Sequence, residues 1–307
     1  MKSTIREHAG AGVVALATVI AAVFDGAFSP SAFAILSAVV WAAVLAGLLG
    51  RALPSAPVAL PAVVGGALFA AVVVLAAVSM SWASDQGRAF EEAVRASAYL
   101  GMFVLAACSA SEGGRRQWLG GLTLGLGVVA VLSVFSYLEP RVLEPEDIGE
   151  LVPNAAGRLS YPVGYWNALA GLLACALVLL ADSAARSATR SARVAALAVF
   201  PVAMLALWLT DSRGGVAAAI VGLLILLAVS RHRSRLAPAL LLALASSAVL
   251  VVAAEVLCDE LLAGTGDGDA RSQGHLLAAF TVGVMLVCAA LASWLDDTEL
   301  RISRPSR

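Results

Sequence analysis

The sequence predicts an all-α fold: a polytopic transmembrane helix bundle of about ten spans with both termini cytoplasmic. Three observations carry that prediction. Of 307 residues, 61% are hydrophobic and only 13% charged, with a mean hydropathy of +0.91; a soluble domain is nearer a quarter charged. Apolar runs of roughly 17–25 residues, the length that crosses a bilayer as a helix, recur from end to end. The charges fall in short segments between those runs. A β-barrel would instead show short alternating segments. No separate soluble domain is visible, so residues 1–307 read as a single integral membrane domain.

The first apolar run follows a basic start, Lys2 and Arg6. It lacks a clear small-x-small cleavage site and reads as an uncleaved first helix. Hydropathy then places the span cores at Gly10–Phe24, Ala32–Leu49, Val58–Met80, Val94–Ala110, Trp118–Leu138, Tyr165–Ala181, Val194–Thr210, Val216–Val229, Ala237–Leu257 and Leu276–Leu295. With both ends inside, the inner segments hold Lys2, Arg6, Arg51, Arg115, Arg116, Arg186, Arg190, Arg193, Arg231, Arg233, Arg235, Arg301, Arg304 and Arg307. That is 14 of the 20 basic residues. The outer segments hold Arg88, Arg95, Arg141, Arg158, Arg213 and Arg271. This bias is the positive-inside pattern, and it predicts both the even number of spans and their orientation.

Ahead of the fourth span, Trp82 marks the interface, and Ser84 or Asp85 can cap a helix lying along the membrane surface. Arg88, Glu91, Glu92 and Arg95 stand at three- and four-residue spacings and can pair among themselves; Arg88 is also a candidate substrate contact. The outer segments are acidic, with Glu139, Glu144, Glu146, Asp147 and Glu150 before the sixth span and Asp259, Glu260, Asp267 and Asp269 before the tenth. Such clusters are solvated loops or sites for a cation or sugar. Gly264–Asp269 lacks the ligand ladder and closing Glu of a calcium loop. Cys108, Cys175, Cys258 and Cys288 show no metal-ligand spacing. Three of them lie in apolar runs and read as core residues, and Cys258 falls near the outer surface. Neither a disulfide nor a metal is predicted.

Two outer segments carry the candidate chemistry. Asp211-Ser212-Arg213-Gly214-Gly215 joins two spans with almost no loop. Asp211 or Ser212 can cap the eighth span, Gly214 and Gly215 leave its first N–H groups uncovered, and Arg213 adds a full positive charge. The segment is therefore an anion cradle or, if Arg213 pairs with Asp211, a closed turn. Upstream, Arg158 precedes Tyr161-Pro162, where the backbone must extend or turn. Gly164 permits a sharp bend, Tyr165 and Trp166 sit at interface depth, and Asn167 enters the membrane run needing partners.

Gly157-Arg158 with Tyr165-Trp166-Asn167-Ala168-Leu169-Ala170, followed by Leu209-Thr210-Asp211-Ser212-Arg213-Gly214-Gly215, resembles the O-antigen ligase and polymerase-like membrane glycosyltransferases of the actinobacterial type. The match covers about residues 158–229. The resemblance implies a metal-independent, inverting transfer, with no cofactor, from a polyprenyl-pyrophosphate-linked glycan to a glycan or lipid acceptor on the outer face of a bacterial cytoplasmic membrane. It implies Arg158 and Arg213 as the groups that meet charge on the diphosphate; Tyr165, Asn167, Ser212 and Gly214 in the same segments are candidate substrate contacts, with Asn167 alternatively bonded to a neighbouring helix. The family's usual base is a histidine in a large outer loop toward the C-terminus. Of the three histidines here, His8 and His232 fall inside; His275 lies outside at the start of the tenth span, after a short loop unlike the family's, and reads as the candidate base or as a polar residue at a helix start. The chain is expected to correspond to the N-terminal membrane part of such an enzyme, or to a shortened homologue. Membrane lipids are expected partners and nucleic acid is not. The competing readings are a non-catalytic scaffold and a transporter of a lipid-linked glycan; a transporter predicts charges deep in the spans and related repeats, which the sequence does not show.

Overall fold

A computed structural model describes residues 2–139, 157–258, 261–262 and 268–302. Ten α-helices are found among them: α1 (Lys2–Val23), α2 (Pro30–Leu49), α3 (Leu60–Ser79), α4 (Gln86–Cys108), α5 (Glu112–Leu138), α6 (Trp166–Arg186), α7 (Arg190–Leu209), α8 (Arg213–Val229), α9 (Arg233–Leu257) and α10 (Gly268–Ile302). No strand occurs among the described residues. Each predicted span core corresponds to one helix. Seven helices are long and apolar enough to cross a membrane: α2, α3, α5, α6, α7, α9 and the Arg271–Leu295 portion of α10. The apolar part of α1, Gly10–Val23, and α8 are shorter.

The helix starts follow local chemistry. Ser29 accepts from the Ala32 N–H with Pro30 at the first helical position, and Thr189 accepts from the Ala192 N–H. Of the two caps considered for the charged segment before the fourth span, Asp85 makes the bond, accepting from the Arg88 N–H at 2.9 Å. The separate surface helix expected there is not present. With no Gly or Pro between Arg88 and Tyr99, the helix begun at Asp85 runs unbroken into α4.

The chain forms two compact units whose boundaries fall within α1 and α5: residues 1–14 with 24–121, and residues 15–23 with 122–307. In the first, α4 packs against both α2 and α3. The Trp41 Nε1–H donates to Ser97 Oγ at 3.0 Å across the α2–α4 contact. The Ser55 N–H donates to the Cys108 carbonyl at 2.8 Å, so the α2–α3 and α4–α5 connections share one end. At the opposite end of α4, the Arg95 guanidinium lies 4.6 Å from the Phe28 ring and 5.0 Å from the Phe33 ring and pairs with Glu92 at 2.7 Å. The helices therefore alternate in direction. α3 has no buried residue. Such an apolar face is a liability in water and costs nothing in lipid.

In the second unit, α7 packs against α6, α9 and α10, and α6 also contacts α8 and α9. Ala170, Ala174, Ala181, Ala203 and Ala206 are buried in this core and allow close backbone approach. The Leu159 N–H donates to the Leu209 carbonyl at 3.0 Å at one end of the unit. At the other end, Arg190 Nη2 donates to the Ser293 carbonyl at 2.8 Å. One cysteine expectation, Cys175 as a core residue, is corrected. Cys258 is fully buried, its Sγ–H donating to the Gln273 carbonyl at 3.6 Å. Cys175 is exposed on the outer face of α6 rather than in the core.

Candidate functional site

The segments around Arg158–Asn167 and Asp211–Gly215 converge at one end of the second unit. The turn between α7 and α8 is shaped by Asp211, which adopts a positive φ of 49°. This conformation is several-fold enriched in Asp and Asn. Thr210 is fully buried; its hydroxyl donates to the Leu207 carbonyl at 2.6 Å and accepts from the Ser212 N–H at 3.3 Å. Of the two capping candidates, Ser212 caps α8, accepting from the Gly215 N–H at 3.2 Å. Asp211 does not, because the positive φ turns it away from the helix start. The Arg213 and Gly214 N–H groups, the first two of α8, have no acceptor among the described residues.

Gly215 is required by packing. A Cβ there would stand 2.5 Å from the Ala170 Cβ and 3.0 Å from a Leu207 methyl. The start of α8 is thereby pressed onto α6. A Cβ at Gly214 would meet nothing within 4 Å, so that side of the turn is open.

Residues 157–165 lie against this turn. Gly164, at φ 77°, bends the chain into α6. Arg158 Nη2 lies 3.1 Å from Asp211 Oδ2, with the two side chains 29% and 71% exposed. The same guanidinium sits 5.5 Å from the Trp166 ring centre, a cation–π distance. Asp211 therefore pairs with Arg158 and not with Arg213. Arg213 is exposed and makes no ion pair among the described residues. Two guanidinium groups and one carboxylate leave a net positive charge at the end of α8, where the helix dipole adds partial positive charge of its own.

Beside the charges runs a line of oriented hydrogen bonds. The Ser212 hydroxyl donates to Asn167 Oδ1 at 2.8 Å, and Asn167 Nδ2 donates to the Tyr165 hydroxyl oxygen at 2.9 Å. With its oxygen accepting from Asn167, the Tyr165 hydroxyl retains its own proton to donate. The ring is 48% exposed and stacks obliquely on Trp166 at 4.7 Å. Ser212 is buried and bonded on both sides. Ser212 and Asn167 thus hold neighbouring groups in place, and Tyr165 presents the free donor.

His275, the predicted base, belongs to the same end. Its Nε2 lies 2.6 Å from Glu139 Oε1. The Leu261 N–H donates to Gln273 Oε1 at 2.9 Å, tying the residues after α9 to the start of α10. A Cβ at Gly157 would lie 3.9 Å from the Leu262 carbonyl oxygen, so the same residues touch the Arg158 segment. Arg88 is in the first unit, exposed in the first turn of α4, and does not join this bonded network. Sequence reasoning missed Asp211 as the partner of Arg158, Trp166 as the ring beneath it and Glu139 as the partner of His275. Arg158–Asp211 joins the segment before α6 to the α7–α8 turn, Arg158–Trp166 closes the bend into α6, and His275–Glu139 bridges 136 positions, so no helical spacing announced them. Most of the acidic segment before the sixth span and the segment Gly264–Asp267 lie outside the described residues. No cluster of three or more potential metal ligands occurs among the described residues. No protein-family model matches the chain, and neither a curated protein nor a solved structure matches it.

Proposed function

We propose that this protein transfers or polymerises a glycan from a polyprenyl-pyrophosphate donor at the outer face of a bacterial cytoplasmic membrane, as its resemblance to the O-antigen ligase-like glycosyltransferases implies. One observation carries the reading. Arg158, Arg213 and two open N–H groups of α8 surround a single turn whose only described anion is the displaceable, mostly exposed Asp211. Guanidinium groups and helix starts bind phosphate oxygens well.

The reaction is a displacement. The acceptor hydroxyl gives its proton to His275, and its oxygen bonds the anomeric carbon. The glycosidic C–O bond to the pyrophosphate breaks, and its electron pair leaves with the polyprenyl pyrophosphate. The anomeric configuration inverts. Arg158 and Arg213 meet the charge that grows on the departing diphosphate. Tyr165 donates a hydrogen bond to the bound glycan or diphosphate. The loop charges favour this end facing outward, with both termini inside.

The test is binding of polyprenyl pyrophosphate to the protein in nanodiscs. Replacing both arginines (Arg158→Ala, Arg213→Ala) should weaken binding at least tenfold, about 1.4 kcal/mol, while the thermal melt stays in place. Equal binding by the double variant overturns the reading and leaves a scaffold or transporter role.

A further inference from the structure

Glu139 is the first residue of the acidic cluster before the sixth span. It follows the last residue of α5, and its N–H donates to the Phe135 carbonyl at 2.9 Å. A carboxylate there meets the negative end of its own helix dipole, an unfavourable placement. Its described partner is His275, on α10, 2.6 Å away.

We infer that Glu139 is a positioning residue for His275, selecting the ring nitrogen that acts as base; this rests on the transfer reading above. The argument is one of donors and acceptors. An ionised carboxylate only accepts hydrogen bonds. A neutral imidazole held against Glu139 through Nε2 must therefore carry its proton on Nε2. The lone pair is then on Nδ1, the atom not engaged by Glu139. The His275 side chain is 57% exposed and Glu139 25%, so the ring remains accessible while its partner is the more enclosed of the two. A carboxylate that sets imidazole tautomer and orientation in this way is a recurring device of general-base catalysis.

The pair is not needed to hold the helices together. A Cβ at Gly274 would stand 2.9 Å from the Leu138 carbonyl oxygen, so α10 already presses against the end of α5. Gln273 is tied to Leu261, and the buried Cys258 bonds the Gln273 carbonyl. A partly exposed ion pair adds little to stability beside that packing. Its effect is felt by the imidazole ring.

The experiment uses the full chain in nanodiscs, labelled with ¹⁵N-histidine. Three histidines give three pairs of ring-nitrogen signals, and His275→Asn assigns the relevant pair. In the wild type, at a pH where the ring is neutral, His275 should show the Nε2–H tautomer alone. Glu139→Gln, whose amide can donate as well as accept, should yield a mixture, and Glu139→Asp should restore much of the single form. A mixed tautomer in the wild type, or no change in Glu139→Gln, overturns the positioning role. The second arm measures release of polyprenyl pyrophosphate from the lipid-linked glycan fraction of the source cells. A general base contributes about 10²- to 10⁴-fold, so Glu139→Gln should lower kcat at least tenfold with KM little changed. Wild-type turnover with an unaltered kcat in Glu139→Gln overturns the positioning role alone. Absence of turnover in the wild type overturns the transfer reading, and the role of Glu139 in it falls as well.

Discussion

Asp211 is the residue on which the two arginines diverge. Its carboxylate occupies Arg158 and leaves Arg213 without a described ion-pair partner, so on the proposed reading a diphosphate would compete for one guanidinium and find the other open. Asp211→Asn keeps a side chain that tolerates positive φ and removes the competing charge. Exposed ion pairs are worth about 0.2–1 kcal/mol. Binding of polyprenyl pyrophosphate to Asp211→Asn should therefore tighten, by up to about fivefold; weaker binding would mean that Asp211 orients Arg158 and does not compete. Gly215 supplies a second prediction. A valine there must displace Ala170 and Leu207, and overpacking of this kind costs about 1–3 kcal/mol. Gly215→Val should lower the midpoint of a thermal melt in nanodiscs, whereas Gly214→Ala, in open space, should leave packing unstrained. The glycine pair was legible in the sequence as a loosened helix start. Which glycine is packed and which is open was not, because the neighbour that decides it, Ala170, comes from another helix.

At the scale of the element, α8 begins where Ser212 places it. The same hydroxyl accepts from Gly215 N–H and donates to Asn167, joining the start of α8 to the start of α6. Loss of a Ser cap costs about 0.5–2 kcal/mol, and the part-buried hydrogen bond to Asn167 is lost with it. Ser212→Ala should therefore destabilise the protein by about that amount, and Ser212→Thr, which keeps the hydroxyl, should retain most of it. A melt unchanged in Ser212→Ala would show that α8 is held by packing alone. A cap at Asp211 or Ser212 was readable from sequence because Asp-Ser-Arg-Gly-Gly preceding an apolar run is a local signal, and the structure chose Ser212. The Ser212–Asn167 bond spans 45 positions and had no local signal. α4 shows the converse. Its charged first turns resembled a surface helix by composition, but nothing in the chain stops a helix started at Asp85.

The whole molecule is organised by the membrane as solvent. In the second unit, the segment of Arg158, the turn of Asp211 and the start of α10 with His275 gather at one end, and Arg190 and Ser293 meet at the other. Basic residues concentrate in the connections of that second end, Arg186 to Arg193 and Arg231 to Arg235. The positive-inside bias then predicts the sidedness. In a cysteine-free background, a cysteine placed at Ser160 should react with a membrane-impermeant maleimide in intact cells. One placed at Ala188 should react only after permeabilisation. The reverse pattern would put the arginine cluster inside and remove any access to an outer-leaflet donor.

Sequence alone determined the helices, their number among the described residues and the polar segments between them, because these depend on quantities local to the chain: run length, hydropathy, caps and loop charge. Asp85, Thr189 and Ser212 each act on an N–H three residues away. Only the tertiary structure decided the partners. Arg158 with Asp211, Asn167 with Ser212 and His275 with Glu139 are brought together by helices that return to the same end of the second unit. Each of those contacts depends on how closely the helix backbones approach. Small residues such as Ala170, Gly215 and Gly274 govern that approach, and composition alone does not reveal which helix each of them meets.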